Sequence, residues 1–257
     1  MKLRRMLLFL VGLLSVALAA SVLFNIILIR QSRQYQRFFN GTRLSPLGLA
    51  AYPTAATPTA EADEAGPQRV VFFGDSRAAQ WVPPADNAQW QFINRGVNGQ
   101  TSVQALLRFD YHIPPVAPDV LVVQVGVNDL STLSIFPHDR ATIIAECKTN
   151  ITQIVAKARA QGATVILTTI FPLGPAPLEQ RLFATVDVPA AVTEVNQHIA
   201  TLRDEHVFIF DTAAVLADTT GRVRPEYQDD FLHINADGYT ALNGELLPIL
   251  AEIGMET

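Results

Sequence analysis

A single cysteine, Cys147, in 257 residues leaves no partner for an internal disulfide and too few thiols for a cysteine-cluster metal site. Charge is also sparse. Asp, Glu, Lys and Arg make up 17% of the chain, and no acidic residue occurs before Glu61. Nineteen Lys and Arg stand against 24 Asp and Glu; seven of the basic residues precede Arg69, which leaves 12 against 21 from that point on. A long acidic portion without a basic stripe is a poor binder of polyanions, so nucleic acid is excluded as a partner. No internal repeat occurs. What the chain does have is apolar surface: 49% of residues are hydrophobic and the mean hydropathy is +0.21. That composition excludes extended disorder and collagen-like repetition, and it supports one sizeable α/β core with an appendage.

The longest apolar run is Met6 to Ile29, 24 uncharged residues. At about 1.5 Å per helical residue it is long enough to cross a hydrocarbon layer of about 30 Å. The spacing predicts a basic tail over 1–5 and a transmembrane signal-anchor helix over 6–29. A cleaved signal peptide is the alternative, since Ala17-Leu18-Ala19 resembles a small-residue cleavage site, but the apolar run continues ten residues past it. Basic residues flank both ends of the span, so orientation rests on the preference for a short tail inside and a domain translocated. Residues 30–68 read as a juxtamembrane segment and an Ala/Pro/Thr-rich linker without hydrophobic period. Residues 69–257 read as the folded domain.

Within that domain, apolar runs alternate with helical patterns. Arg69 to Phe73, Phe92 to Asn94, Val120 to Val125, Val165 to Ile170 and Val207 to Phe210 read as five strands, several continuously apolar as buried parallel strands are. Helices are expected from Arg140 to Gln161, from Pro189 to Glu205, and from an Asn235 cap to Ile253. Cys147 falls on the apolar stripe of the first of these and reads as a buried structural thiol. Such alternation predicts a parallel sheet covered on both faces.

Four strand ends and loops carry residues suited to chemistry. The first strand ends in Gly74-Asp75-Ser76, which sets a serine at a carboxyl edge and at the start of a helical turn, where open α/β sheets put their ligands. The second leads into Asn94-Arg95-Gly96-Val97-Asn98-Gly99-Gln100-Thr101, whose glycines permit close approach of backbone N–H groups. The third ends in Gly126-Val127-Asn128-Asp129, an amide donor at another carboxyl edge. Near the C-terminus, Asp230 precedes His233 by three residues on a loop, so its carboxylate can fold back onto Nδ1 and leave Nε2 to act as a base. Each element alone is also ordinary turn chemistry; their order along the chain is what distinguishes them.

In that order, serine, glycine, asparagine and Asp-x-x-His, the sequence resembles the SGNH hydrolase superfamily, also called GDSL-type esterases and lipases, over roughly Arg69 to Ile253. The resemblance implies a three-layer, doubly wound, five-stranded parallel sheet in the flavodoxin-like order 2-1-3-4-5, which agrees with the five apolar runs. It implies that Ser76 is the nucleophile, Asp230 and His233 its acid and base, and the Ser76 and Gly99 N–H groups with the Asn128 amide the oxyanion donors. Gly96 is a rival to Gly99. Arg77 stands where the family's name has leucine.

The implied activity is a membrane-anchored serine ester hydrolase working through an acyl-enzyme, with a small-molecule, lipid or glycan ester as substrate and no metal or cofactor. Alternatives are an O-acetyl transferase or deacetylase of cell-surface glycans, a metal phosphoesterase using Asp75, Asp129, Asp230 and His233, and an anchored binding module. Two apolar connections, Leu130 to His138 and Phe171 to Pro189, are expected at the pocket rim, with Phe136 and Phe183 touching substrate.

Overall fold

The structure, a computed structural model, describes residues 2–53, 66–176 and 187–256. It divides into two units, residues 1–46 and 47–257. The first is a helix, α1 (Lys2–Leu44). It is the one helix among the described residues long and apolar enough to cross a membrane, with a mean hydropathy of 2.7 over its most apolar stretch. It runs on past the expected end of the span at Ile29, through Arg30, Arg33, Arg37 and Arg43.

In the second unit the strands β1 (Gln68–Gly74), β2 (Trp90–Gly96), β3 (Val120–Gln124), β4 (Thr164–Thr168) and β5 (Val207–Phe210) form one sheet, ordered 2-1-3-4-5. Every adjacent pair is parallel, and β1 is registered with Gly74 opposite both Gly96 and Gln124. Side chains alternate between faces along each strand, so both faces must be apolar if both are covered. They are: Val71, Phe73, Leu121, Val123, Val165 and Leu167 enter one core, and Val70, Phe72, Val120, Val122 and Ile166 enter the other.

The helices follow in chain order as α2 (Ser76–Ala79), α3 (Ser102–His112), α4 (Val127–Ser131), α5 (Arg140–Ala160), α6 (Val188–Ala200), α7 (Thr212–Leu216) and α8 (Ala236–Glu256). Helices α3, α5 and α6 cover the first face: Ile144, Cys147, Ile151, Ile154, Val155 and Ala158 of α5 recur at helical spacing and are buried. Helix α8 covers the other through Leu242, Leu246 and Leu250. Asn235 caps it, its side-chain oxygen accepting from the N–H groups of Asp237 and Gly238 at 3.0 and 3.1 Å.

β4 stops at Thr168, short of the expected Ile170. Asn196 of α6 explains this: its amide accepts from Ile170 N–H at 2.7 Å and donates to Ile170 C=O at 3.0 Å, taking both groups away from the ladder.

The expected linker differs in one part. Leu47 to Tyr52 packs within the α/β unit: Leu47 C=O accepts from Gln100 Nε2 at 2.9 Å, and Tyr52 Oη donates to Gly96 C=O at 2.8 Å. A half-buried tyrosine with a bonded hydroxyl supplies the burial that Ala, Pro and Thr lack.

Candidate active site

Ser76 opens α2 directly after β1, with Asp75 as its N-cap; Asp75 Oδ1 accepts from Arg77 N–H at 2.9 Å. The first helical N–H groups have no intrahelical acceptor, so Ser76 N–H is a donor left over by position. Ser76 Oγ lies 3.0 Å from His233 Nε2, and His233 Nδ1 lies 2.9 Å from Asp230 Oδ2. A carboxylate accepts only, so Nδ1 carries the ring proton; Nε2 of the neutral ring then accepts from the serine hydroxyl. Asp230 Oδ1 also accepts from the N–H groups of Leu232 and His233 at 2.6 and 2.7 Å. Partial burial pulls the Asp230 carboxyl upward, but the His233 ring and these two N–H groups outweigh it and hold its pKa below the usual carboxylate value.

Because β1 lies between β2 and β3, the serine is flanked by the loop after β2 and the turn after β3. The two rival glycines separate here. Gly96 is the last residue of β2, and a Cβ on it would fall 2.1 Å from Ala79 N, so close packing of β2 against α2 accounts for it. Gly99 lies in the following turn at φ +73°, a conformation that favours glycine. Across the cleft, Asn128 Nδ2 donates to Gln100 C=O at 2.9 Å, which joins the two loops. An amide nitrogen carries two protons, and that bond uses one.

Asp129 turns inward instead, accepting from Ser102 N–H at 2.7 Å and Ser102 Oγ at 2.6 Å. Asp75 and Asp129 therefore hold backbone and hydroxyl groups of their own unit, and burial raises both pKa values, that of Asp75 to about 6. Among the described residues no three His, Cys, Asp or Glu side chains gather as a metal site would require. Cys147 is fully buried and its thiol is pushed up by burial.

Of the expected rim, Leu133, Phe171 and Leu173 are buried in the two cores, whereas Ile135 and Phe136 are exposed. Leu178, Leu182 and Phe183 lie outside the described residues.

Three residues that sequence reading left without a role belong to the site's support. Arg77 Nε donates to Leu232 C=O at 2.8 Å and Nη1 to Phe171 C=O at 3.0 Å, from a fully buried position. Arg108, also buried, donates through Nη2 to Gly74 C=O at 2.8 Å and through Nε to Gln100 Oε1. Gln100 is the third. A charged or polar residue on an otherwise apolar face is the one sequence signal that could have marked them.

Comparison with known proteins bears on the fold and the family. A solved GDSL-like lipase from Bacteroides thetaiotaomicron superposes with a TM-score of 0.64 at 21% identity, over 80% of this chain and 98% of that one. An acetyl xylan esterase superposes at 0.56 and 19% identity, over 70% and 98%. A variant of an acetyl-xylooligosaccharide esterase from Geobacillus superposes at 0.57 and 15% identity, over 72% and 94%. At these identities the likeness is one of fold. In sequence, the uncharacterized lipoprotein YqeF of Bacillus subtilis is 27% identical over 132 residues, 45% of this chain and 53% of that protein. The match thus spans about half of that relative's length. The model of the GDSL-like lipase/acylhydrolase family matches residues 63–241, most of the α/β unit, so the chain belongs to the GDSL-like lipase/acylhydrolase family.

Proposed function

We propose that the chain is a membrane-anchored serine ester hydrolase that works through an acyl-enzyme. The observation that carries this reading is the unbroken contact path from Ser76 Oγ through the His233 ring to Asp230, with the proton positions fixed by the carboxylate. Ser76 Oγ attacks the ester carbonyl as His233 Nε2 takes its proton; the protonated ring, held by Asp230, then gives that proton to the leaving alcohol. Water repeats the sequence and frees the acid. The Ser76 and Gly99 N–H groups and the Asn128 amide hold the tetrahedral oxyanion, each such donor being worth about 3–4 kcal/mol in comparable sites. Helix α1 supplies the anchor.

Acyl transfer to a glycan hydroxyl is the second reading, since an acyl-enzyme accepts any hydroxyl that reaches it. Two of the fold relatives are named as esterases of acetylated xylan or xylooligosaccharide, which puts acetyl esters of carbohydrates in the test set.

The test is a series of p-nitrophenyl esters from acetyl to hexanoyl, with acetylated oligosaccharide alongside, given to the full chain and to Ser76→Ala. Wild type is expected to turn over, and Ser76→Ala to lose at least about a thousandfold in kcat with its melting temperature kept. Undiminished hydrolysis by Ser76→Ala overturns the mechanism. Phe136→Ala should flatten any rise with acyl length; strict acetyl preference untouched by it would move the substrate to carbohydrate acetates.

A further inference from the structure

The segment Leu47 to Tyr52 touches the loops beside Ser76 in a way that packing alone does not require. Leu47 C=O takes one proton of the Gln100 amide, at 2.9 Å. The Gln100 side-chain oxygen takes Arg108 Nε, and Arg108 Nη2 reaches Gly74 C=O at 2.8 Å, two residues before Ser76. The backbone carbonyl of Gln100 takes the Asn128 amide. One glutamine thus joins the segment to the loop of Gly99, the turn of Asn128 and the end of β1.

Tyr52 makes a second attachment, at the end of β2 from which that loop leaves. Its hydroxyl donates to Gly96 C=O at 2.8 Å, the guanidinium of Arg95 lies 4.8 Å from its ring centroid, and the His112 ring meets it edge-on at 5.6 Å. Gly48 adopts φ +61°, and a Cβ there would lie 3.0 Å from Val97 Cγ1 and 3.2 Å from Gln100 Nε2, so the segment lies close against this loop. These contacts all fall on residues 94–100 or on the α3 residues that brace them.

We propose that Leu47 to Tyr52 is a strap that positions the oxyanion donors Gly99 and Asn128, with Tyr52 and Gln100 as its positioning residues. The inference rests on the hydrolase reading for its catalytic meaning, and on geometry alone for the strap itself. Interactions realised at the oxyanion act in the transition state more than in substrate binding, so loosening the strap lowers kcat and leaves KM nearly unchanged.

The experiment compares full-length wild type, Tyr52→Phe and Tyr52→Ala by ester kinetics and by amide hydrogen exchange. Tyr52→Ala is expected to lose ten- to a hundredfold in kcat with KM within about threefold, and Tyr52→Phe, which keeps the ring on Arg95, to lose less. Exchange should accelerate over residues 96–100 and stay unchanged in β5. If Tyr52→Ala does not fold, Tyr52→Phe carries the test with a smaller expected loss. Unchanged exchange over 96–100, acceleration there equal to that in β5, or a kcat within twofold of wild type overturns the strap. Wild type inert on every ester, with exchange over 96–100 still accelerated in the variant, would sink the hydrolase reading and leave the strap standing.

Discussion

Arg77 donates through Nε to the carbonyl oxygen of Leu232, so the residue that follows Ser76 holds the residue that precedes His233. The same guanidinium reaches Phe171 C=O and lies 5.2 Å from the centroid of the Phe171 ring. Among the described residues no carboxylate is hydrogen-bonded to it, and complete burial lowers its pKa to about 10, against the pull of Asp75. A buried cation in such a place is a costly clamp, and it ties the turn of Ser76 to the loop of His233.

Arg77→Leu, which restores the residue of the family's name, should therefore impair the protein. It leaves the carbonyls of Phe171 and Leu232 without their donor, at about 1–3 kcal/mol for the buried Phe171 group and less for the half-buried Leu232. We expect a fall in melting temperature of several degrees and a loss of roughly tenfold in kcat, with labelling of Ser76 by a fluorophosphonate slowed in step. Full activity in Arg77→Leu would show that packing of the loop suffices without the clamp.

Asp75 gives a pH signature. Complete burial lifts its carboxyl to about 6, and its Oδ2 has no hydrogen-bond partner among the described residues. An unfolded aspartate titrates near 4. Between about pH 4 and 6 the folded chain binds the proton that the unfolded chain has released, so this group's contribution falls as pH rises through that window, by up to about 3 kcal/mol. Asp75→Asn keeps the cap on Arg77 N–H and removes the titration. Melting temperatures measured from pH 4 to 7 should decline less steeply for Asp75→Asn than for wild type. Asp129, raised by burial as well, is present in both proteins, and its charge is one cause of the Asp75 shift, so loss of the Asp75 charge relaxes Asp129 in the same direction. Parallel curves would refute the assignment.

If α1 is an uncleaved anchor, the protein should stay with membranes through an alkaline carbonate wash, and external protease should release the α/β unit from intact cells or spheroplasts. A mature N-terminus at Ala20 would mean that Ala17-Leu18-Ala19 is cut and that the product is secreted.

The sheet was legible because its signal is local. Val120 to Val123 and Val70 to Phe73 are apolar at every position, as only a strand buried on both sides needs to be. The candidates Ser76, Asn128, Asp230 and His233 were picked out by their order along the chain, and Gly99 was preferred over Gly96 by its spacing in the loop; of these the structure joins Ser76, His233 and Asp230 by hydrogen bonds. What remained hidden depends on partners far apart in sequence. Tyr52 meets Gly96 across 44 residues, and Arg77 meets Leu232 across 155; no periodicity encodes either. Ala50 and Ala51 run into the Ala, Pro and Thr residues from Tyr52 onward that read as linker, so composition marked no boundary at Tyr52. Ile170 read as strand because it is apolar, and only Asn196 on another element withdraws it from the ladder.

Cys147 gives the protein a built-in reporter. It is the chain's one thiol, it faces the core from α5, and burial keeps it protonated. A thiol reagent can reach it only when the elements packed over it open, so the rate of its modification clocks that opening without any engineered probe. For the same reason, a cysteine introduced on the exposed surface would be the only fast-reacting position on the folded molecule, ready to carry a single spectroscopic label.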